Sequence, residues 1–222
     1  MTGVRERYVC AEGETSLDLA MTACEKLFLR GKVTKKDVGA IILCSQSPDY
    51  IMPPNSTILH RRLGLPMSVT AFDYTLACSG YIYGLFMAKA FIESNLLDNI
   101  ILVTAEAYSK YINVDDRGTV TLFGDGAAAT LIRRGEKGVA TIELGTDGSG
   151  GDCFNVPAGG TRIPKTAETR VETVDDSGNI RTLENIHMDG QAVLKLIKQQ
   201  VPDCVRSVLG KGGYGHEDID LY

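Results

Sequence analysis

The sequence predicts an α/β protein whose central strands are covered by helices on both faces. Three observations predict it. Val38–Cys44 and Asn99–Glu106 are nearly continuous apolar runs, the pattern of strands buried on both sides, and Val69–Thr75 reads as a further strand. Helical spacing lies between and before these runs. A helix, a polar link ending in Asp and a strand also recur in that order: 16–30, Asp37 and 38–44, then 190–209, Asp218 and 219–222. That is a weak internal repeat.

Each element has a local reason. Over Ser16–Arg30 the residues Leu17, Ala20, Met21, Cys24, Leu27 and Phe28 fall at helical spacing. Thr15 or Ser16 is placed to cap the start, and Gly31 to stop it. Ser45–Asn55 holds three Pro and reads as loop; Ser56–Gly64 reads as a helix ending at its Gly. Ala77–Ser94 has almost no polar face, which predicts a helix buried all round. Phe123–Arg133 is a Gly-Asp-Gly turn followed by a small-residue strand, and Val139–Gly145 is another strand candidate. Thr146–Asn179 is long, Gly-rich and polar; such a loop is usually functional or mobile. Gly190–Leu209 reads as a helix with Val193, Leu194, Ile197, Val201 and Val205 on one stripe, and Pro202 inside it invites a kink.

Composition narrows the function classes. The 222 residues make one large domain or two small ones. With 44% hydrophobic and 23% charged residues the chain is of globular type and not disordered. The formal net charge of −5 argues against nucleic acid as a partner. The longest apolar stretch, Tyr81–Ile92, is broken by Lys89 and too short for a bilayer, so no membrane association is expected. Met1–Arg7 is polar and does not read as a signal peptide, which points to the cytoplasm. The Cys at 10, 24, 44, 78, 153 and 204 include no C-x-x-C pair, so they are expected as reduced thiols without zinc.

One cysteine stands apart. Cys78 lies between a strand and the apolar helix, at or beside the helix N-terminus, where backbone N–H groups favour a thiolate. Small residues surround it in Thr75-Leu76-Ala77-Cys78-Ser79-Gly80, so a substrate can approach. This is a strand–turn–nucleophile–helix pattern suited to acyl transfer. The alternative is a packed core Cys at a strand end. His60, His187 and His216 stand in no dyad pattern and read as structural or solvated. Gly124-Asp125-Gly126 lacks the spacing of a nucleotide loop and reads as a tight turn where backbones pack closely.

Four blocks in order carry a resemblance: Phe72-Asp73-Tyr74-Thr75-Leu76-Ala77-Cys78-Ser79-Gly80, Thr104-Ala105-Glu106, Asp116-Arg117-Gly118-Thr119 and Leu122-Phe123-Gly124-Asp125-Gly126-Ala127. With Thr2–Arg7, Pro157–Gly160 and His187–Gly190, they make the chain resemble β-ketoacyl-acyl-carrier-protein synthase III of the thiolase superfamily, over essentially its whole length. The resemblance implies a thiolase-like αβαβα sandwich of two similar halves. It implies that Cys78 takes an acyl group from acyl-CoA as a thioester. Condensation with malonyl-acyl-carrier protein then gives a β-ketoacyl-carrier protein and initiates fatty acid synthesis. It implies no metal or redox cofactor, coenzyme A thioester being the substrate, and it implies a homodimer.

Residue by residue, the resemblance places Arg117 and Gly118 beside the CoA adenine and phosphate, and Thr2 at the same mouth. Met52 falls where a bulky residue closes the partner's acyl pocket. Met188, Gln191 and Leu194 fall at substrate-binding positions, the last two along the pantetheine tunnel. For each, surface or packing is the alternative, and Arg117 has Asp115 and Asp116 as candidate ion-pair partners. The resemblance divides the chain at 145: residues 1–145 as a nearly complete N-terminal half, and 146–222 as a connecting loop and the start of a truncated C-terminal half. It places the family's catalytic His and Asn after Tyr222, and a Trp and Arg of the CoA site before Thr2. The chain is therefore expected to be a fragment; a natural terminus at a short edge strand is the alternative. A related thiolase-fold synthase (polyketide-starter, alkylquinolone or hydroxymethylglutaryl-CoA type) and a non-catalytic thiolase-fold subunit are the competing readings of function.

Overall fold

A computed structural model describes residues 3–136 and 138–222. The chain divides into two units, one of residues 8–108 and 124–139, the other of residues 3–7, 109–123 and 140–222.

In the first unit α1 (Ser16–Leu29) starts at Thr15, whose side chain and that of Asp18 cap the first turn reciprocally. Strand β1 (Ala40–Cys44) leads to α2 (Asn55–Leu63), which stops at Gly64 in the left-handed conformation. Then come β2 (Thr70–Tyr74), α3 (Gly80–Glu93), β3 (Asn99–Glu106) and β4 (Gly126–Arg133). The sheet order is β2-β1-β3-β4, with β1 parallel to β2 and β3, and β4 antiparallel to β3. Ile42 is opposite Phe72 on one side and Leu102 on the other.

The two-residue side-chain period of a strand sorts the core into two layers. Ile41, Leu43, Ile101 and Val103 pack with Leu17, Cys24, Leu59 and Leu63 of α1 and α2. Ala40, Ile42, Ile100 and Leu102 pack with Ala88 and Ile92 of α3. Each fully buried Leu, Ile or Val among them contributes about 1.5–3 kcal/mol. β1 and β3 are thus buried on both faces, as their apolar runs predict.

The expected all-round burial of α3 is corrected. Gly80, Gly84, Ala88 and Ile92 form one buried stripe at four-residue spacing, while Tyr81, Ile82 and Phe86 are 39, 43 and 47% exposed. The stripe is small because the helix lies very close to the sheet. A Cβ on Gly84 would sit 2.4 Å from Leu102 Cδ1. An apolar circumference shows what a helix tolerates, not what surrounds it.

In the second unit α4 (Arg117–Val120) is a single turn capped by Asp116. Strands β5 (Phe154–Asn155) and β8 (His187–Met188) pair antiparallel, as do β6 (Thr173–Val174) and β7 (Ile180–Arg181). Helix α5 (Gly190–Gly212) starts at Asp189, which accepts from the Gln191 and Ala192 N–H groups at 3.0 Å, and continues across Pro202. Two expected strands do not form. Val139–Gly145 is irregular, and Ile219–Tyr222 follows a single 3₁₀ turn without entering a sheet. A strand is completed by a neighbour's hydrogen bonds, which a local apolar run cannot supply. No helix of the described residues is long and apolar enough to cross a membrane.

Candidate active site

The strand order decides where a site forms. β1 and β2 are neighbours, yet the connection after β1 leads to α2 on one face and that after β2 leads to α3 on the other. In the order β2-β1-β3 the switch point falls between β1 and β3, and the carboxyl ends of the strands are the preferred ligand side of open α/β sheets. Cys78 is in the turn at the carboxyl end of β2, on that side of the sheet, and is exposed. The core-Cys alternative is thereby set aside.

Cys78 stands one residue before Ser79, the N-cap of α3, and Ser79 makes no side-chain cap. Two side chains from beneath hold the turn. Cys44 Sγ donates to the Leu76 carbonyl at 3.1 Å, and the Tyr74 hydroxyl donates to the Gly80 carbonyl at 2.6 Å. Burial pushes up both the Cys44 thiol and the Tyr74 phenol, so each keeps its proton, and its donor role, through neutral pH. The Gly80 N–H closes the turn onto Ala77 O at 2.8 Å.

The segment after β3 completes the surroundings. Glu106 accepts from the Gln46 N–H and the Ser47 hydroxyl, both at 2.8 Å, and Ser47 Oγ accepts from the Ala107 N–H at 2.8 Å. Burial raises the Glu106 pKa beyond what these hydrogen bonds take back. The Tyr108 hydroxyl donates to Gln46 Oε1. Burial pushes this phenol up, and negative charge on Glu106, Cys78 or Cys44 pushes it further. Gln46, Ser47 and Tyr108 were not legible as site residues in the sequence. Their signal is topological: all follow the carboxyl ends of β1 and β3.

The other expected site residues separate by unit. Met52 belongs with Cys78 in the first unit, 78% exposed on the connection to α2. In the second unit Arg117 is exposed and Gly118 half-buried at the start of α4, Met188 is half-buried on β8, and Gln191 and Leu194 are exposed one turn apart on α5. Thr2 lies outside the described residues. Asp116, a candidate partner for Arg117, pairs instead with Arg181. The histidines are engaged structurally: His60 Nε2 with Pro66 O at 2.9 Å, His187 Nε2 with Thr182 O at 3.0 Å, and His216 with the Tyr222 hydroxyl. Asp125 works as a turn residue, bonded to the Tyr8 carbonyl and the Cys10 N–H, both at 2.7 Å. No atom lies within 4 Å of a Cβ built on Gly126, so the close backbone packing expected there is absent at that residue.

Residues 72–148 match the sequence profile of the family described as 3-oxoacyl-[acyl-carrier-protein (ACP)] synthase III. The β-ketoacyl-[acyl-carrier-protein] synthase III of Chlamydia caviae is 35% identical over 222 residues, covering 99% of this chain and 63% of the relative. That of Clostridioides difficile is 38% identical over 220 residues, covering 99% and 64%. A crystal structure of a 3-oxoacyl-(acyl-carrier-protein) synthase III superposes with a TM-score of 0.95 at 41% identity, covering 99% of this chain and 66% of that one. Over essentially its whole length the chain is similar to β-ketoacyl-[acyl-carrier-protein] synthases III.

The chain spans less than two thirds of the length of these synthase III relatives. Its fold is the thiolase-like α/β fold of synthase III structures, including that of Thermus thermophilus, with a TM-score of 0.81 at 32% identity. The expectation that the chain is a fragment, truncated in its second half, gains no support from the comparisons. The synthase III profile begins at Phe72, two residues before the end of β2, and so takes in both the Cys78 turn and α4.

Proposed function

We propose that this protein is a β-ketoacyl-[acyl-carrier-protein] synthase III type acyltransferase, with Cys78 as its nucleophile. One observation carries the reading. An exposed cysteine stands in the turn at the carboxyl end of β2, and the Leu76 and Gly80 carbonyls of that turn accept hydrogen bonds from Cys44 and Tyr74. In the first step Cys78 Sγ bonds to the carbonyl carbon of an acyl-CoA. The C–S bond to CoA breaks, and the proton leaving Cys78 ends on the CoA thiol. One thioester replaces another, so the energy of the acyl group is kept. The backbone N–H of Cys78 is the first donor we assign to the developing oxyanion. In the second step malonyl-acyl-carrier protein loses CO₂, its carbanion bonds to the carbonyl carbon of the Cys78 thioester, and the C–S bond to Cys78 breaks. Cys78 leaves as a thiolate that regains a proton, and the product is a β-ketoacyl-carrier protein. This chemistry calls on no metal or redox cofactor.

Within this reading Arg117, Gly118 and Thr2 meet the nucleotide end of CoA, Gln191 and Leu194 its pantetheine arm, and Met188 the substrate. Met52 reaches the acyl pocket of a second copy in a cytoplasmic homodimer. Met there tolerates varied chain shapes because its side chain is flexible. Incubation with acetyl-CoA followed by intact-mass and peptide analysis tests the first step. The expected result is one acetyl adduct, on Cys78, lost in Cys78→Ser. An adduct on another cysteine would overturn the assignment.

A further inference from the structure

We infer that Arg181, on the β6–β7 hairpin, is the positioning residue of the Arg117–Gly118 turn, and so sets how tightly the nucleotide end of an acyl-CoA is held. The inference rests on the reading above that this turn meets CoA. Helix α4 has four residues. One turn does not hold itself in water, because nucleating a helix fixes several residues for few hydrogen bonds. Its conformation is imposed by Asp116, which accepts from the Gly118 N–H at 2.9 Å and the Thr119 hydroxyl at 2.8 Å.

The Asp116 side chain is only 1% exposed. A buried carboxylate needs a counter-charge and full hydrogen bonding. Arg181 supplies both, with Nε 2.7 Å from Oδ2 and Nη2 3.3 Å from Oδ1. The planar fork fixes the carboxylate's orientation as well as its charge. Burial alone would raise the Asp116 pKa; the Arg181 and Thr119 hydrogen bonds outweigh it and hold the carboxyl low.

Arg181 is held in its turn. Its Nη2 is 3.0 Å from Asp175 Oδ2, and Asp175 closes the hairpin by accepting from the Ser177 and Asn179 N–H groups at 2.9 Å. The hairpin also lies against the turn it braces. A Cβ on Gly118 would be 3.6 Å from Arg181 Nη2 and 3.9 Å from Asn179 Nδ2. Arg181 is thus committed to structure, while its neighbour across the turn, Arg117, is exposed. This gives the long polar segment 146–179 and its continuation a task at the substrate mouth.

The test compares the unchanged chain with Arg181→Gln and Arg181→Lys. The rate of Cys78 acylation is followed against acetyl-CoA concentration by intact mass, and CoA affinity by calorimetry. Arg181→Gln is expected to raise the half-saturating concentration and the CoA Kd about tenfold, with the limiting rate within about twofold. Arg181→Lys keeps the charge without the fork and is expected to fall between, at about threefold. Half-saturation and Kd unchanged in both variants would overturn the inference, as would a limiting rate that falls while both stay constant. If Arg181→Gln does not fold, Arg181→Lys decides alone. If the unchanged chain binds CoA but forms no adduct, the nucleophile reading fails and the Kd comparison decides this one. If it does neither, both fall together.

Discussion

Gly80 and Cys44 are in a contact that only a missing side chain permits: a Cβ on Gly80 would lie 2.5 Å from Cys44 Sγ. The first residue of α3 therefore rests on the last residue of β1, and the turn bearing Cys78 is set by that closeness. Gly80→Ala is expected to cost about 1–3 kcal/mol through overpacking. The double variant Gly80→Ala/Cys44→Ala removes the obstructing sulfur and should recover part of the loss. Chemical denaturation of the four proteins of the cycle measures the coupling; strictly additive costs would show that the contact does not constrain the turn.

Thiol reactivity should follow burial. Cys24 lies in the core and burial pushes its pKa up to about 12, while Cys44 is raised for the same reason. Cys78 and Cys204 are exposed. Under native conditions at pH 8, iodoacetamide should label Cys78 and Cys204 first, with Cys24 and Cys44 protected until the chain unfolds. Peptide mass spectrometry over time reads the order. Early labelling of Cys44 would contradict its place beneath the turn.

Asp116 should tie stability to acid. Its folded pKa lies below the ordinary value of 3.8, so the folded state binds the proton less readily than the unfolded state. The stabilisation is complete above that ordinary value and is lost as pH falls through the folded one. Asp116→Asn keeps the size of the side chain but removes the more buried of the two carboxylates that pair with Arg181, and is expected to cost about 3 kcal/mol at neutral pH. Its melting temperature should then fall less between pH 5 and pH 3 than that of the unchanged chain. Parallel curves for the two would show that Asp116 is not the group responsible.

Asp73 ties the start of α2 to β2. Its Oδ2 accepts from the Asn55 N–H at 2.7 Å and its Oδ1 from the Ser56 N–H at 2.8 Å, so a strand side chain caps a helix whose own Pro54 does not. A carboxylate at a helix N-terminus also meets the positive end of the helix dipole. Asp73→Ala is expected to cost about 1–2 kcal/mol, and Asp73→Asn, which keeps one acceptor, less. Equal costs for the two would assign the effect to packing rather than to capping.

The sheet and its helices were readable from local pattern because each rests on local physics. Asn99–Glu106 is nearly continuous in apolar residues and is a strand over those same residues; Gly64 stops α2 as a left-handed cap. The failures share one cause. Val139–Gly145 and Ile219–Tyr222 look like strands, but a strand exists only where another strand accepts its hydrogen bonds. The polar stretch 173–181 held the opposite surprise, a hairpin whose Arg181 reaches back 65 residues to Asp116. An ion pair at that separation leaves no mark in spacing or periodicity.

By itself the sequence determined the α/β class, the apolar strands, most helix limits and Cys78 as the residue to isolate. These follow from side-chain period, caps and the chemistry of a thiol beside a helix start. Only the tertiary structure decided that Cys78 is exposed at the carboxyl end of β2, that Cys44 and Tyr74 pin its turn, and that Asp116 belongs to Arg181. Those facts depend on strand order and on contacts between distant residues, and neither is encoded in any short stretch of chain.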